Sequence, residues 1–128
     1  LSKDMVHVSR NTFEDLVLQA LDNVPARLRD RIENLDVIVK DWPAKRELAS
    51  AGLNERRSLL GLYEGVPLTA RSHYNLVIPD KITIYQRPIE ALSQTRKDIT
   101  ENVRKTLIHE IAHHFGIDDT RLLEFGSS

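Results

Sequence analysis

One long amphipathic helix near the end of the chain constrains the fold most. Four apolar residues recur on it at every fourth position, which is the spacing of one helical face: Ile99, Val103, Leu107 and Ile111. Thr95 and Asp98 form a capping pattern before them, and Gly116 suits the positive φ that commonly ends a helix. We therefore predict a helix that starts after Thr95, ends at Gly116 and buries these four side chains in the core.

Two histidines on this helix form a candidate metal site. His109 and His113 lie four residues apart in the segment HEIAHHFGIDD. This spacing is roughly 6 Å along the helix axis, so both imidazoles leave one face and can bind one ion. Glu110 lies about 100° around the helix from His109, close to such an ion but offset from it. That offset suits a carboxylate that accepts a proton from metal-bound water.

A third ligand has to come from beyond the helix. Gly116 allows the chain to reverse and bring an aspartate beneath the metal. Asp119 fits the pattern HExxHxxGxxD without a shift, and Asp118 is the alternative. Because the chain contains no cysteine, the ligands are His, Asp or Glu, and this set favours a single zinc ion with one open position for water. A purely structural zinc site is disfavoured, since such sites usually have four protein ligands.

The remaining sequence predicts an α+β fold in a single domain spanning residues 1–128. The predicted elements are helices over residues 13–21, 25–32 and 44–50, and strands over residues 35–39, 59–63, 74–78 and 82–85. The last two strands are predicted to pair as a hairpin. Residues 64–75 show no periodicity and are predicted to form a loop, and a loop of that length in a small domain is often functional.

Composition and charge restrict the partners. Hydrophobic residues make up 41% of the chain and charged residues 29%, as in ordinary soluble proteins. The net charge of −1 supplies no basic surface for nucleic acid, and no apolar run is long enough to span a membrane. The first eight residues lack the pattern of a signal peptide. We therefore expect a cytoplasmic protein with neither nucleic acid nor a membrane as its partner.

Three segments together resemble a known family: LLGLYEGVPLT at residues 59–69, YNLVIPDKITIY at residues 74–85 and HEIAHHFGIDD at residues 109–119. They are similar to short bacterial zincin-like proteins described as minimal metalloproteases, and the ligand spacing is similar to that of metzincins with Asp as the third ligand. The resemblance implies a backing helix, a small mixed β-sheet and an active-site helix. It also implies one zinc ion bound by His109, His113 and Asp119, with Glu110 as the general base.

The expected activity is hydrolysis of a peptide bond, in which Glu110 takes a proton from the zinc-bound water and returns it to the leaving amine. The substrate would be an extended peptide that pairs with an exposed strand, in the region of residues 59–63 or 82–85. Only residues 120–128 follow Asp119, too few for the subdomain with a Met-turn that metzincins place beneath the metal, so we expect low affinity and selectivity. Two alternatives stay open: a zinc-binding module that binds a peptide without cleaving it, and a zinc hydrolase of the amidase or deformylase type.

Four other polar residues receive no catalytic role from the sequence. His114 points about 100° away from His113 and is expected to be solvated or to support the site indirectly. Tyr63 is expected to pack, as is typical of an amphipathic aromatic side chain. His73 lies in the predicted loop and is expected to be solvated, and Glu64 has no assigned role.

Overall fold

The structure is a computed structural model that describes residues 6–29, 35–65 and 79–116. It contains both helices and strands along the chain, which confirms the predicted α+β fold. The helices are α1 (Arg10–Asp22), α2 (Ala26–Arg29), α3 (Lys45–Ser50), α4 (Gln86–Ala91) and α5 (Arg96–His114), with a 3₁₀ turn at Arg56–Ser58. The strands are β1 (Leu35–Lys40), β2 (Gly61–Glu64) and β3 (Asp80–Tyr85). Within the described ranges, none of the helices combines the length and the apolar character needed to cross a bilayer.

The described strands form one mixed sheet in the order β1–β3–β2. β1 runs parallel to β3 with Val37 opposite Ile82, and β2 runs antiparallel to β3 with Tyr63 opposite Ile82. β3 is therefore the central strand, and β2 is an edge of the described sheet.

Of the two regions predicted to receive a peptide, only residues 59–63 reach an edge. The hairpin predicted for residues 82–85 is wrong, because β1 and β2 already flank this strand; residues 74–78 lie outside the described residues.

Local sequence signals account for the helix boundaries. The Ser9 side chain caps α1 by accepting a hydrogen bond from the Thr12 N–H. Before α3, the Ala44 N–H donates to the Glu47 carboxylate at 2.7 Å. After α3, Gly52 has a φ of 72°, the left-handed conformation that glycine adopts without strain.

The core lies between one face of the sheet and the pair of helices α1 and α5. All four predicted core residues of α5 are fully buried there. They pack with α1 and with the face of β3 that carries Ile82 and Ile84. The other face of β3 carries Tyr85, which forms a smaller cluster with Leu48 of α3 and Leu59. α1 thus backs α5 in the arrangement that the resemblance implies.

Helix α4 is not among the elements that the sequence predicts. It begins directly after β3, with Tyr85 at its N-cap position, and is six residues long. Glu90 at its end is fully buried and accepts hydrogen bonds from the Val8 N–H, the Gln86 side chain and the Arg87 guanidinium. One of these three donors is more than 80 residues away in the sequence, so contacts across the fold stabilise this short helix in addition to local propensity.

Candidate metal centre

Helix α5 carries the predicted site and is capped at its start as predicted. The Thr95 hydroxyl accepts a hydrogen bond from the Asp98 N–H at 3.1 Å, and the Asp98 carboxylate accepts one from the Thr95 N–H at 3.2 Å. Past the end of the helix, Gly116 has a φ of 72°, which confirms the positive φ predicted for the helix end. The helix is therefore fixed in length and in rotation, because its apolar face is buried and both of its ends are defined.

The two histidines occupy the exposed face of α5. His109 and His113 have ring centroids 5.8 Å apart, and the ring planes are inclined by 32°. Both residues are exposed and both line the same groove. This arrangement confirms that the spacing of four residues brings the two imidazoles onto one face.

An open groove of about 780 Å³ runs between β2 and α5. Residues 61–63 line it from the strand, and α5 lines it with one face that extends from Asn102 to His114. Ala51 and Leu53, just after α3, add apolar side chains to its lining. The groove follows an edge strand of the described sheet, so an extended chain can lie beside that strand.

Strand β2 and helix α5 are in register along this groove. A Cβ atom on Gly61 would lie 2.7 Å from Cγ2 of Thr106, and one on Gly65 would lie 3.3 Å from Cε1 of His114. Between these two points the Tyr63 N–H donates to Oε1 of Glu110 at 3.2 Å. Two strand residues span about 6.6 Å and four helix residues about 6.0 Å, so every second residue of β2 meets the next turn of α5.

Glu110 is the half-buried carboxylate of the site. Burial raises its pKa above the ordinary value of 4.5, and this effect outweighs the hydrogen bond from the Tyr63 N–H and the nearby positive charge of His109 and His113. The carboxylate faces the groove beside both imidazoles. A carboxylate with a raised pKa beside two histidines is suited to accept a proton near neutral pH.

Tyr63 and His114 form an aromatic stack that the sequence does not predict. Their ring centroids are 3.9 Å apart at an angle of 20°, and Phe115 meets the His114 ring edge-on at 4.9 Å. The Tyr63 hydroxyl donates to Oδ2 of Asp80 at 2.8 Å, and Nε2 of His114 lies 3.9 Å from the same oxygen. The sequence does not single out Asp80, because nothing in its local pattern links it to α5.

Glu64 also has contacts that its sequence position did not reveal. Its carboxylate lies 3.6 Å from the Arg46 guanidinium and 3.6 Å from the Lys81 ammonium. It points to the face of the sheet that α3 covers, away from the histidines. Glu64 therefore belongs to the contacts between α3 and the sheet.

The donor set of the described site fits zinc in part. Two exposed imidazoles one helical turn apart are ligands that zinc accepts. The predicted third ligand Asp119, its alternative Asp118 and the loop residue His73 all lie outside the described residues. Among residues 6–29, 35–65 and 79–116, no group of three or more histidines and carboxylates is close enough to bind a metal ion. The ligand set of three therefore stays a prediction.

Comparison with protein families gives a match to the zincin-like metallopeptidases over residues 32–127. The matched part begins just before β1 and includes β2, β3, the whole of α5 and the segment with Asp119. A search of curated proteins gave no match.

Proposed function

Because the chain belongs to the zincin-like metallopeptidase family, we propose that it is a zinc-dependent peptidase that hydrolyses peptide bonds in extended segments of protein. One observation carries this proposal. The two imidazoles of α5, 5.8 Å apart, and the Glu110 carboxylate share one groove beside an edge strand. Within the proposal, the groove would thus hold the metal, the base and the peptide together.

His109 and His113 would bind the zinc ion, with Asp119 as the proposed third ligand. When bound, zinc polarises a carbonyl group and lowers the pKa of a water molecule to about 7. The two histidines are set by the rotation of α5, which the buried residues on its other face determine. The protein therefore needs no rearrangement of the helix to present both imidazoles together.

Glu110 would act as the general base and then as the general acid. Its Oε1 accepts the Tyr63 N–H, which orients the carboxylate and leaves the second oxygen, Oε2, for proton transfer. Burial raises the pKa of this carboxyl group, so its basicity lies closer to neutral pH than that of an exposed glutamate. Glu110 can then take a proton from the attacking water and deliver it to the leaving amine.

The edge of β2 would bind the substrate backbone. Leu60 O accepts a hydrogen bond from the Tyr85 N–H, so by the alternation of an antiparallel ladder the backbone groups of Gly61 and Tyr63 point away from β3. The Tyr63 N–H donates to Glu110, so a peptide would pair with the N–H and C=O of Gly61 and with the C=O of Tyr63. A peptide that pairs with this edge would extend the sheet and pass the Glu110 carboxylate. Main-chain pairing of this kind predicts weak dependence on the side chains of the substrate.

The test is Glu110→Gln, which keeps the size of the side chain and an oxygen that can accept the Tyr63 N–H. We expect it to bind zinc as the wild type does and to reduce casein hydrolysis by about 10³-fold or more, since general-base contributions reach that size. His109→Ala should lose both zinc and turnover. Glu101→Gln, on the same helix but outside the groove, is the matched control and should retain both. Unchanged hydrolysis by Glu110→Gln would refute the proposal.

A second candidate is a zinc-binding module that binds peptides without cleaving them. The groove along the open edge of β2 favours it, because backbone pairing alone gives affinity for an extended peptide. A single-turnover assay with a peptide library separates the two candidates. A binder would retain intact peptide on the zinc-loaded protein, whereas a peptidase would release fragments.

A further inference from the structure

The hydrogen bond that orients Glu110 depends on the position of one backbone N–H. The Tyr63 N–H lies 3.2 Å from Oε1 of Glu110, at the upper limit of ordinary N–H···O distances. A displacement of β2 by a few tenths of an ångström would lengthen this contact beyond hydrogen-bond range. Whatever positions Tyr63 therefore controls the orientation of the carboxylate.

The ladder with β3 does not hold this N–H directly. Tyr63 lies opposite Ile82 in this ladder. Leu60 and Tyr85 form a hydrogen-bonded pair, and such pairs alternate with pairs that are not hydrogen-bonded. Tyr63 and Ile82 therefore form a pair without hydrogen bonds between their backbone groups. The side chain of Tyr63 supplies fixed contacts instead. Its hydroxyl donates to Asp80 at 2.8 Å, and its ring stacks on His114 at 3.9 Å.

Asp80 joins the three elements that meet at this end of the groove. It is the first residue of the central strand β3 and lies diagonally across from Tyr63, within reach of a long side chain on the same face. Its carboxylate is largely buried, accepts the Tyr63 hydroxyl and lies 3.9 Å from Nε2 of His114 on α5. Gly65, which has no side chain, leaves the space in which Asp80 and His114 approach each other.

We propose that Asp80 is a positioning residue for the general base: through the Tyr63 hydroxyl it fixes the Tyr63 N–H that orients Glu110. This inference rests on the proposed function for its catalytic consequence, but the positioning itself is a property of the fold. Asp80 does not line the groove. It acts at a distance from the reacting atoms, by way of one side chain and one backbone group.

The test compares Tyr63→Phe, Asp80→Ala and Asp80→Asn in the full chain supplied with zinc. The first two remove the hydrogen bond, whereas the amide oxygen of the third can still accept the Tyr63 hydroxyl. Amide hydrogen exchange at residue 63, followed by NMR, should become about 5- to 10-fold faster in the first two variants. Their kcat should fall about 10-fold with KM within about twofold of the wild type, because the loss is in orientation and not in substrate binding.

Asp80→Asn should stay within about twofold of the wild type in both measurements, since one hydrogen bond to a neutral acceptor is retained. Asp41→Ala is the matched control: it removes an ion pair with Arg10 at 2.6 Å, away from the groove, and should change neither. If Asp80→Ala does not fold, Tyr63→Phe carries the test alone.

Exchange and kcat at wild-type levels in Tyr63→Phe, or no rescue by Asp80→Asn, would overturn the inference. Failure of the proposed function would look different. Either the zinc-loaded wild type would release no fragments or Glu110→Gln would retain hydrolysis, while the exchange rate at residue 63 would still respond to Tyr63→Phe.

Discussion

Glu47 and Glu110 are carboxylates that the fold withdraws from water on opposite faces of the same sheet, and burial acts on both in the same direction. Glu47 lies in α3, against the face of β3 that carries Tyr85, and is fully buried. Glu110 lies in α5, against the face that carries Ile82 and Ile84, and is half-buried. The net pKa shifts are nevertheless opposite, so the partners of each carboxylate decide the outcome.

Glu47 has enough partners to compensate its burial. Burial alone raises its pKa, but the Ala44 N–H at 2.7 Å, the neighbouring Tyr85 hydroxyl and the Lys40 ammonium at 3.1 Å together lower it below 4.5. Burial and the Glu47 charge raise the pKa of Tyr85 in turn. All of these groups are parts of α3 or of the adjoining sheet, so this cluster stabilises the fold in its ionised state.

Glu110 has less compensation and keeps a raised pKa. The Tyr63 N–H and the charge of His109 and His113 oppose its desolvation without balancing it. A partly buried carboxylate whose partners do not compensate its desolvation lowers the stability of the fold. It is also a stronger base than a carboxylate that is fully hydrogen-bonded and paired with charge. Glu47, the structural carboxylate, is thus the more buried of the two and has more hydrogen-bond and charge partners. Glu110, the proposed catalytic carboxylate, has fewer.

Removing the structural carboxylate should have the largest effect on stability. Glu47→Ala leaves the Lys40 ammonium and the Ala44 N–H without this acceptor. Because Lys40 is 42% exposed, we expect a loss of about 2–3 kcal/mol, somewhat below that for a fully buried pair. For a chain of this length that corresponds to a fall in Tm of about 8–12 °C, measured by calorimetry or circular dichroism.

The acid side of the stability curve provides the control for Glu47. A lowered pKa contributes stability above the ordinary value of 4.5, and this contribution is lost as the pH falls through the lowered value. Glu47→Gln keeps the acceptor for Ala44 and should show a smaller loss, with a weaker fall in stability below about pH 4.5. If Glu47→Ala were as stable as the wild type, the contrast between the two carboxylates would have no structural basis.

Gly61→Ala should disturb the surroundings of Glu110 and leave those of Glu47 intact. The added Cβ would lie 2.7 Å from Cγ2 of Thr106 and 3.2 Å from the Thr83 carbonyl oxygen. Separating β2 from α5 to relieve this overlap should cost about 2 kcal/mol and lengthen the contact between Tyr63 and Glu110. Denaturant unfolding and amide exchange at residue 63 measure the two effects.

The double variant Gly61→Ala with Thr106→Ser is the control for Gly61→Ala. Serine lacks the methyl group at 2.7 Å but retains the hydroxyl that donates to the Asn102 carbonyl oxygen. We expect it to recover about half of the lost stability, since the contact with Thr83 stays tight. Absence of any recovery would show that the register between β2 and α5 is not set by this close approach.

The fold and the site differ in how much of each could be predicted from sequence. The helix α5, its caps and the shared face of His109 and His113 follow from periods of three to four residues, which a single segment displays. The sequence does not show that β2 lies at the edge of the sheet, because strand order depends on contacts between distant segments. The link from Asp80 to Tyr63 spans 17 residues and the contact of Asp80 with His114 spans 34, so neither leaves a local pattern. Asp119 as the third ligand stays a prediction.

The smallest expected effect has the opposite sign to that of Glu47. A raised pKa means that ionised Glu110 destabilises the folded chain at every pH above the ordinary value of 4.5, and that this cost vanishes when the carboxyl group is protonated. Glu110→Gln removes the charge and keeps the acceptor for Tyr63. In chelator-treated protein at pH 7.5 it should therefore have a higher Tm than the wild type, by less than the change in Tm expected for Glu47→Ala. The difference should shrink to zero below about pH 4.5, where the wild-type carboxyl group is itself neutral.

Glu101→Gln, which replaces an exposed carboxylate on the same helix, should show no such gain. A Glu110→Gln variant less stable than the wild type at pH 7.5 would mean that the Tyr63 N–H and the two histidines already compensate the burial of Glu110, and the distinction from Glu47 would then be lost.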